Sequence, residues 1–200
     1  MTDPRLFAPA TQRNRDPILN VLRDVLPKSG TVLEIASGSG EHVIHFARHL
    51  PDLTFQPTDP MVDSLRSIAA WVASSGIPNI LPPLRLETTE QPWPVTAADA
   101  IVCINMIHIS PWASAEGLMR GAQAALKPGA PLYLYGPYQR QGGHTAPSNE
   151  AFHRQLQAQN PAWGVRDLEK VVDLALAHGF SNPQVVEMPA NNLSVVFRRQ

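Results

Sequence analysis

Only one cysteine, Cys103, occurs in the 200 residues, which excludes an internal disulfide and a Cys-type metal site and fits a reducing compartment. Charge is also scarce. Charged residues make up 16% of the chain, against ~25% in a typical soluble domain. The 16 Lys+Arg against 17 Asp+Glu leave a net charge of −1, so no global field is available to hold DNA, RNA or an anionic membrane. No apolar run approaches the ~18 residues of a membrane span, and the first residues, MTDPRLFAPATQRNRD, lack the basic-then-apolar pattern of a signal peptide. The 20 prolines are dispersed through the chain and form no linker. With 44% apolar residues, the expectation is one soluble, cytoplasmic, globular domain over residues 1–200 that works on a small molecule, with no nucleic-acid and no membrane partner.

Apolar periodicity supplies the order of elements. Asp16 and Pro17 read as the N-cap and first position of a helix with a stripe at Ile18, Leu22 and Val25. TVLEIA (31–36) reads as a buried strand that runs into Ser37-Gly38-Ser39-Gly40, after which helical spacing resumes. The alternation continues with LTFQPT, a helix over Pro60 to Ser75, the irregular strand ILPPLRLE, the buried strand AIVCINMI and a helix from Glu116 to Leu126. PLYLYG then makes a fifth strand, followed by the polar loop PYQRQGGHTAPSN, two helices (150–159 and 167–178) and a closing hairpin of PQVVEMP and NLSVVFRR. Such alternation predicts an α/β fold: a mostly parallel sheet with helices on both faces, order 3-2-1-4-5-7-6, the last strand antiparallel.

The turn after the first strand, Glu34 to Gly40, is the sharpest signal. Glycines there let the backbone approach a ligand while the next helix offers free N–H groups. Val43 occupies the place of the third small residue of a dinucleotide fingerprint, which disfavours NAD or FAD. The lipase elbow fails at Ile35, and no Gly-Lys-Ser/Thr ending makes a phosphate loop. Asp59 ends the second strand about 20 residues later, where an acidic side chain accepts from ribose hydroxyls; preceding Pro60, it can equally cap the next helix. Glu87 ends the third strand, placed either to accept from an adenine amino group or to stand as an exposed loop carboxylate.

The series E-x-A-x-G-x-G at Glu34 to Gly40, Asp59, Glu87 before Pro92-Trp93-Pro94, Asp99, His108, and Leu126-Lys127-Pro128-Gly129 resembles the class I S-adenosylmethionine-dependent methyltransferases over roughly residues 30–136. The strings NMIHISPW, LYLYGPY, GGHTAPSN, WGVRDLE and EMPANNL are similar to the methyltransferase-like 26 family across almost the whole chain. Two departures are Ala36 where glycine is usual and Glu87 where aspartate is commoner. The resemblance implies a single Rossmann-like methyltransferase domain with an N-terminal lid and helix (1–29), a cofactor-binding core (30–136) and an acceptor-side region (137–200). It implies S-adenosylmethionine as cofactor, S-adenosylhomocysteine as product, and a cofactor site of Glu34, Ala36, Ser37, Gly38, Gly40, Asp59, Glu87 and Asn105, with Arg13 and Asn14 reaching the methionine carboxylate.

The acceptor is then expected near the end of the fourth strand, with Asn105, His108, Ser110 and Trp112 at the mouth. His108 and His144 are the candidates to take a proton, Tyr138 to line the acceptor pocket, and Asn105 to orient the acceptor. Packing or turn-holding roles remain open for each. His42, His45 and His49 share one helical face, and that face is expected to meet solvent and not a metal. Cys103 reads as inert core. Two rivals share the scaffold: aminopropyl transfer, and a non-catalytic module that binds S-adenosylmethionine.

Overall fold

The computed structural model describes residues 3–200. Its strands, in chain order, are β1 (Gly30–Ile35), β2 (Leu53–Asp59), β3 (Leu84–Arg85), β4 (Ala100–Ile104), β5 (Pro131–Arg140), β6 (Gly143–His144), β7 (Arg166–Asp167), β8 (Gln184–Met188) and β9 (Asn192–Arg198). The helices are α1 (Pro9–Val25), α2 (Glu41–His49), α3 (Val62–Ser75), α4 (Trp112–Ala125), α5 (Pro147–Gln159) and α6 (Leu168–Ala177). One sheet runs β3-β2-β1-β4-β5-β9-β8, the order expected from the sequence. β1 pairs parallel with β2 and β4, and β4 with β5, while β9 runs antiparallel to both β5 and β8. The short β6 and β7 both pair with the far end of β5, making nine strands where seven were expected.

The pleat of β1 sends alternate side chains to two cores. Val32 packs with Ile18, Leu22, Val43 and Phe46 of α1 and α2. Leu33 and Ile35 pack with Leu118 and Val171 of α4 and α6. Cys103 lies in the second core, 2% exposed, with its thiol pushed up to about 12 by burial.

Several boundaries depart from the sequence reading. α1 begins at Pro9 and not at Pro17, which sits inside the helix. Pro9 supplies the preset φ of a first turn, and the Ala8 N–H is taken by Glu41 Oε2 at 2.6 Å. Pro17 has no N–H to return to the Arg13 carbonyl. Asp16 is consequently no cap; it faces His45 Nε2 at 2.9 Å. β3 shrinks to two residues because Pro82 and Pro83 have no ladder donors. The polar stretch after Gly136 is not a loop: β5 continues to Arg140, and β6 turns back on it with Gln139 opposite His144. α4 and α5 each begin a turn early, at Trp112 and Pro147. The closing hairpin turns through Ala190 and Asn191, both at positive φ (58° and 57°), which matches the twist of its strands.

Candidate functional site

At the C-terminal end of β1 the chain leaves the sheet through three left-handed residues: Ala36 at φ 55°, Gly38 at 59° and Gly40 at 91°. A Cβ on Gly40 would stand 3.0 Å from the Ile68 Cα, so α2 can lie this close to α3 only with glycine there. Nothing but the Ala36 carbonyl comes within 4.0 Å of the place a Cβ would take at Gly38, where the conformation and not the space selects glycine. The turn is tied across to β2: Ser37 N donates to Thr58 O at 2.8 Å, Thr58 Oγ1 to Glu34 O at 2.8 Å, and Gly38 N to Asp59 Oδ2 at 2.9 Å. Of these three residues only Ala36 carries a Cβ. Ala36→Gly should therefore raise stability by about 0.5–1 kcal/mol, the relief of left-handed strain less the larger chain entropy of glycine. Denaturant unfolding of the two proteins measures it, and a destabilised variant would show that no strain resides there.

This turn forms one wall of a cavity of about 560 Å³ at the C-terminal ends of the parallel strands, where open α/β sheets bind ligands. Ala36, Gly38, Asp59, Glu87, Met106 and Trp163 line it. Asp59 is 4% exposed and ties the glycine turn to the segment ahead of α3, although the N-cap of that helix is Met61 and not Asp59. Its Oδ2 holds Gly38 N and its Oδ1 accepts from Met61 N at 2.9 Å, ahead of α3. Each oxygen keeps a second lone pair free to accept. Glu87 is half-buried, and only long contacts of 3.3–3.4 Å join its Oε1 to Thr88 and Thr89. A smaller cavity of about 320 Å³ lies at the opposite end, around Lys28 and Pro51.

Glu34 is buried at 3% exposure, and its Oε2 has no hydrogen-bond partner. Burial, assisted by the nearby Asp59 carboxylate and opposed by Ser37, pushes its pKa up to about 7. A cation beside it would satisfy the orphaned oxygen and restore the ionised form.

β4 ends because Asn105 turns left-handed at φ 61°, and a single 3-10 turn follows at Met106–His108. Asn105 N donates to Tyr135 O at 2.8 Å, and Asn105 O accepts from His108 N at 3.0 Å. Met106 lines the first cavity, whereas Asn105 lines a second, of about 460 Å³, beneath α1. The consecutive residues thus stand between the two spaces. Arg13 and Asn14, expected at the cofactor, line this second cavity with Tyr135 and Phe152. His42 Nε2 lies 2.9 Å from Asn14 Oδ1, and its ring stacks on Phe46 at 5.4 Å. Burial pushes His42 down to about 3, so the neutral ring donates to Asn14. The expectation that His42 and His45 meet solvent is corrected: the longer α1 covers both, and His49 alone of the three is exposed. Among the described residues no group of three or more His, Cys, Asp or Glu is placed to hold a metal ion.

His108 does not reach either cavity. It is fully buried, its Nδ1 accepts from Arg166 N at 3.3 Å, and its ring meets Tyr138 edge-on at 5.0 Å. Gly136 faces it so closely that any Cβ would strike the imidazole. Burial and the Arg166 charge push its pKa down to about 3. A ring sealed from solvent and from both cavities has no path to an acceptor proton, so the general-base expectation for His108 is corrected to a structural one. Tyr138 is likewise buried at 1%, with its hydroxyl pKa raised by desolvation, and lines neither cavity. His144 packs beside His153 at 5.0 Å, with Nε2 3.1 Å from Gln139 Nε2, and also lies outside both linings. Sequence reasoning missed Arg166. Its Nε donates to Ile107 O at 2.9 Å and its Nη2 to Ser110 O at 2.6 Å, clamping the turn that carries Asn105 and Met106.

The family described as "Protein of unknown function (DUF938)" matches residues 5–199. This chain belongs to that family. Among solved structures, a putative O-methyltransferase from Nostoc punctiforme superposes with a TM-score of 0.82 at 18% identity, over 94% of this chain and 56% of that one. Human N-acetylserotonin methyltransferase, solved with S-adenosylmethionine, gives 0.76 at 14% identity over 95% and 52%. CalO1, a methyltransferase of calicheamicin biosynthesis solved with S-adenosylhomocysteine, gives 0.76 at 14% over 96% and 55%. This DUF938 chain has the α/β Rossmann-like methyltransferase fold, and it spans little more than half the length of these three proteins.

Proposed function

We propose that this DUF938 protein transfers a methyl group from S-adenosylmethionine to a small-molecule acceptor, as a soluble cytoplasmic enzyme without a nucleic-acid substrate. The observation that carries the reading is one cavity, at the C-terminal ends of the strands, lined by the glycine turn, Asp59 and Glu87 together. The residues suit the cofactor. Asp59 faces the ribose hydroxyls and Glu87 the adenine amino group, while Gly38 lets the backbone approach. The solved structures with S-adenosylmethionine or S-adenosylhomocysteine bound support the same reading.

When bound, the cofactor supplies an electrophilic methyl group on a sulfonium. The chain's own contribution is placement: Asn105, fixed at the end of β4 and tied to Tyr135, orients the acceptor. Positioning is worth up to ~7–11 kcal/mol for well-aligned reactants. Among the described residues that line the second cavity none is acidic. That disfavours aminopropyl transfer, which needs carboxylates for a polyamine. The absence of a histidine from that lining argues for an acceptor that reacts without a protein base.

Calorimetric titration tests the cofactor assignment. S-adenosylmethionine should bind and NADH should not, and Asp59→Asn should weaken binding about 10- to 100-fold through lost ribose hydrogen bonds. Preference for NADH, or unchanged affinity in a folded Asp59→Asn protein, defeats the assignment.

A further inference from the structure

Hydrogen-bond accounting in the second cavity discloses the charge of what it takes. Asn149 Nδ2 already donates to Thr145 Oγ1 at 3.1 Å and to Asn191 O at 2.9 Å. Asn192 Nδ2 donates to Pro189 O and Ala190 O. Asn14 is engaged by His42 on one side and by the Tyr135 phenol on the other. What is left over is the amide carbonyls of Asn149 and Asn192, the Asn105 amide, which has no side-chain partner among the described residues, and one charged group, the exposed Arg13 guanidinium with its five N–H donors. Arg13 is the one charged side chain among the described residues of the lining, and no carboxylate there neutralises it. Its neighbours on the wall, Tyr135, Phe152 and three prolines, present flat apolar faces. A space with one unneutralised cation, neutral amides around it and flat apolar sides matches a small organic anion carrying a ring or short chain.

We propose that the cavity beneath α1 is the acceptor site and that it selects small carboxylic acids, holding the carboxylate on Arg13 and the body of the molecule between Tyr135 and Phe152. The inference rests on the methyltransferase reading, in which the two cavities serve cofactor and acceptor and meet at Asn105 and Met106. It assigns Arg13 to the acceptor and not to the methionine carboxylate of the cofactor. The cavity of about 460 Å³ has room for such a molecule. A planar guanidinium pairs a carboxylate through two parallel hydrogen bonds, which a lysine ammonium does not reproduce.

Three probes of one shape and different charge decide the matter: benzoate, benzamide and benzylamine, each titrated by ligand-observed NMR into the protein saturated with S-adenosylhomocysteine. Benzoate is expected to bind at least tenfold more tightly than either other probe. Arg13→Gln should abolish that preference and Arg13→Lys retain part of it, while the affinity for S-adenosylhomocysteine stays within twofold in both. Equal binding of benzoate and benzamide, or no benzoate binding at millimolar concentration, overturns the proposal. So does a tenfold loss of S-adenosylhomocysteine affinity in Arg13→Gln, which would put the guanidinium on the cofactor. Failure of the unaltered protein to bind S-adenosylhomocysteine at all defeats the methyltransferase reading instead; the benzoate comparison then runs on the free protein, where the same arms judge Arg13.

Discussion

Replacing Glu34 with glutamine should change how stability depends on pH, by on the order of 3 kcal/mol between pH 4.5 and about 7. In the folded protein burial pushes this carboxyl from 4.5 up to about 7. Below about pH 4.5 it is protonated in both states and costs nothing. As the pH rises from 4.5 to 7 the unfolded chain ionises and the native one does not, so this group's contribution to stability falls and then levels off above pH 7. The size follows from the width of that window at 1.36 kcal/mol per unit. Glutamine does not titrate, so the stability of Glu34→Gln relative to the parent should climb across the same window, whatever constant cost its amide carries. Denaturant melts at a series of pH values read the difference, and parallel curves would show that Glu34 is ionised and paired in the native protein. A second readout tests its link to the ligand. If a cationic cofactor settles beside Glu34, binding at pH 6 should release a proton from the parent and none from the variant, seen as buffer-dependent calorimetric enthalpies.

Glu34 also marks how far the sequence could be read. Its place in the glycine turn was legible because everything that defines the turn is local: a β-branched strand, then positions at positive φ where glycine is favoured, then a helix. The position of Asp59 was legible for the same reason, since a strand end fixes where its side chain emerges, and it does line the cavity beside the glycine turn. The strand order followed from alternation and the two-residue hairpin. α1 was misjudged because Pro9 and Pro17 both satisfy the first-turn rule, and choosing between them requires Glu41, which reaches back to the Ala8 N–H. That choice carried Arg13 and Asn14 with it, from a segment ahead of the helix onto a helix face over the second cavity. The burial of His42 was hidden likewise, because the helix that covers it was expected to start later.

His108 shows the limit most plainly. Its position after β4 places it where an acceptor-side base belongs, and nothing nearby in sequence says otherwise. What removes it from the site is distant: Arg166, 58 residues on, donates its backbone N–H to Nδ1, and Gly136 on β5 leaves just enough space for the ring. His108→Ala should accordingly behave as a core lesion, costing about 2–4 kcal/mol at pH 7.5 through the cavity left behind and the Arg166 N–H left unpaired. The pH dependence identifies the cause. Burial depresses this imidazole from 6.5 to about 3, so its neutral form contributes stability above pH 6.5 that is lost as the pH falls from 6.5 toward 3. The alanine variant has no such loss, and the gap between the two proteins should narrow on acidification, by on the order of 5 kcal/mol at most. His42, shifted the same way, titrates equally in both and cancels from the comparison. Affinity for S-adenosylmethionine in the folded variant should stay near that of the parent, because the ring touches neither cavity. A variant of unaltered stability that has lost turnover would return His108 to the role of proton acceptor. That result would also require the turn clamped by Arg166 to open during the reaction, because in the closed protein the ring has no route to an acceptor.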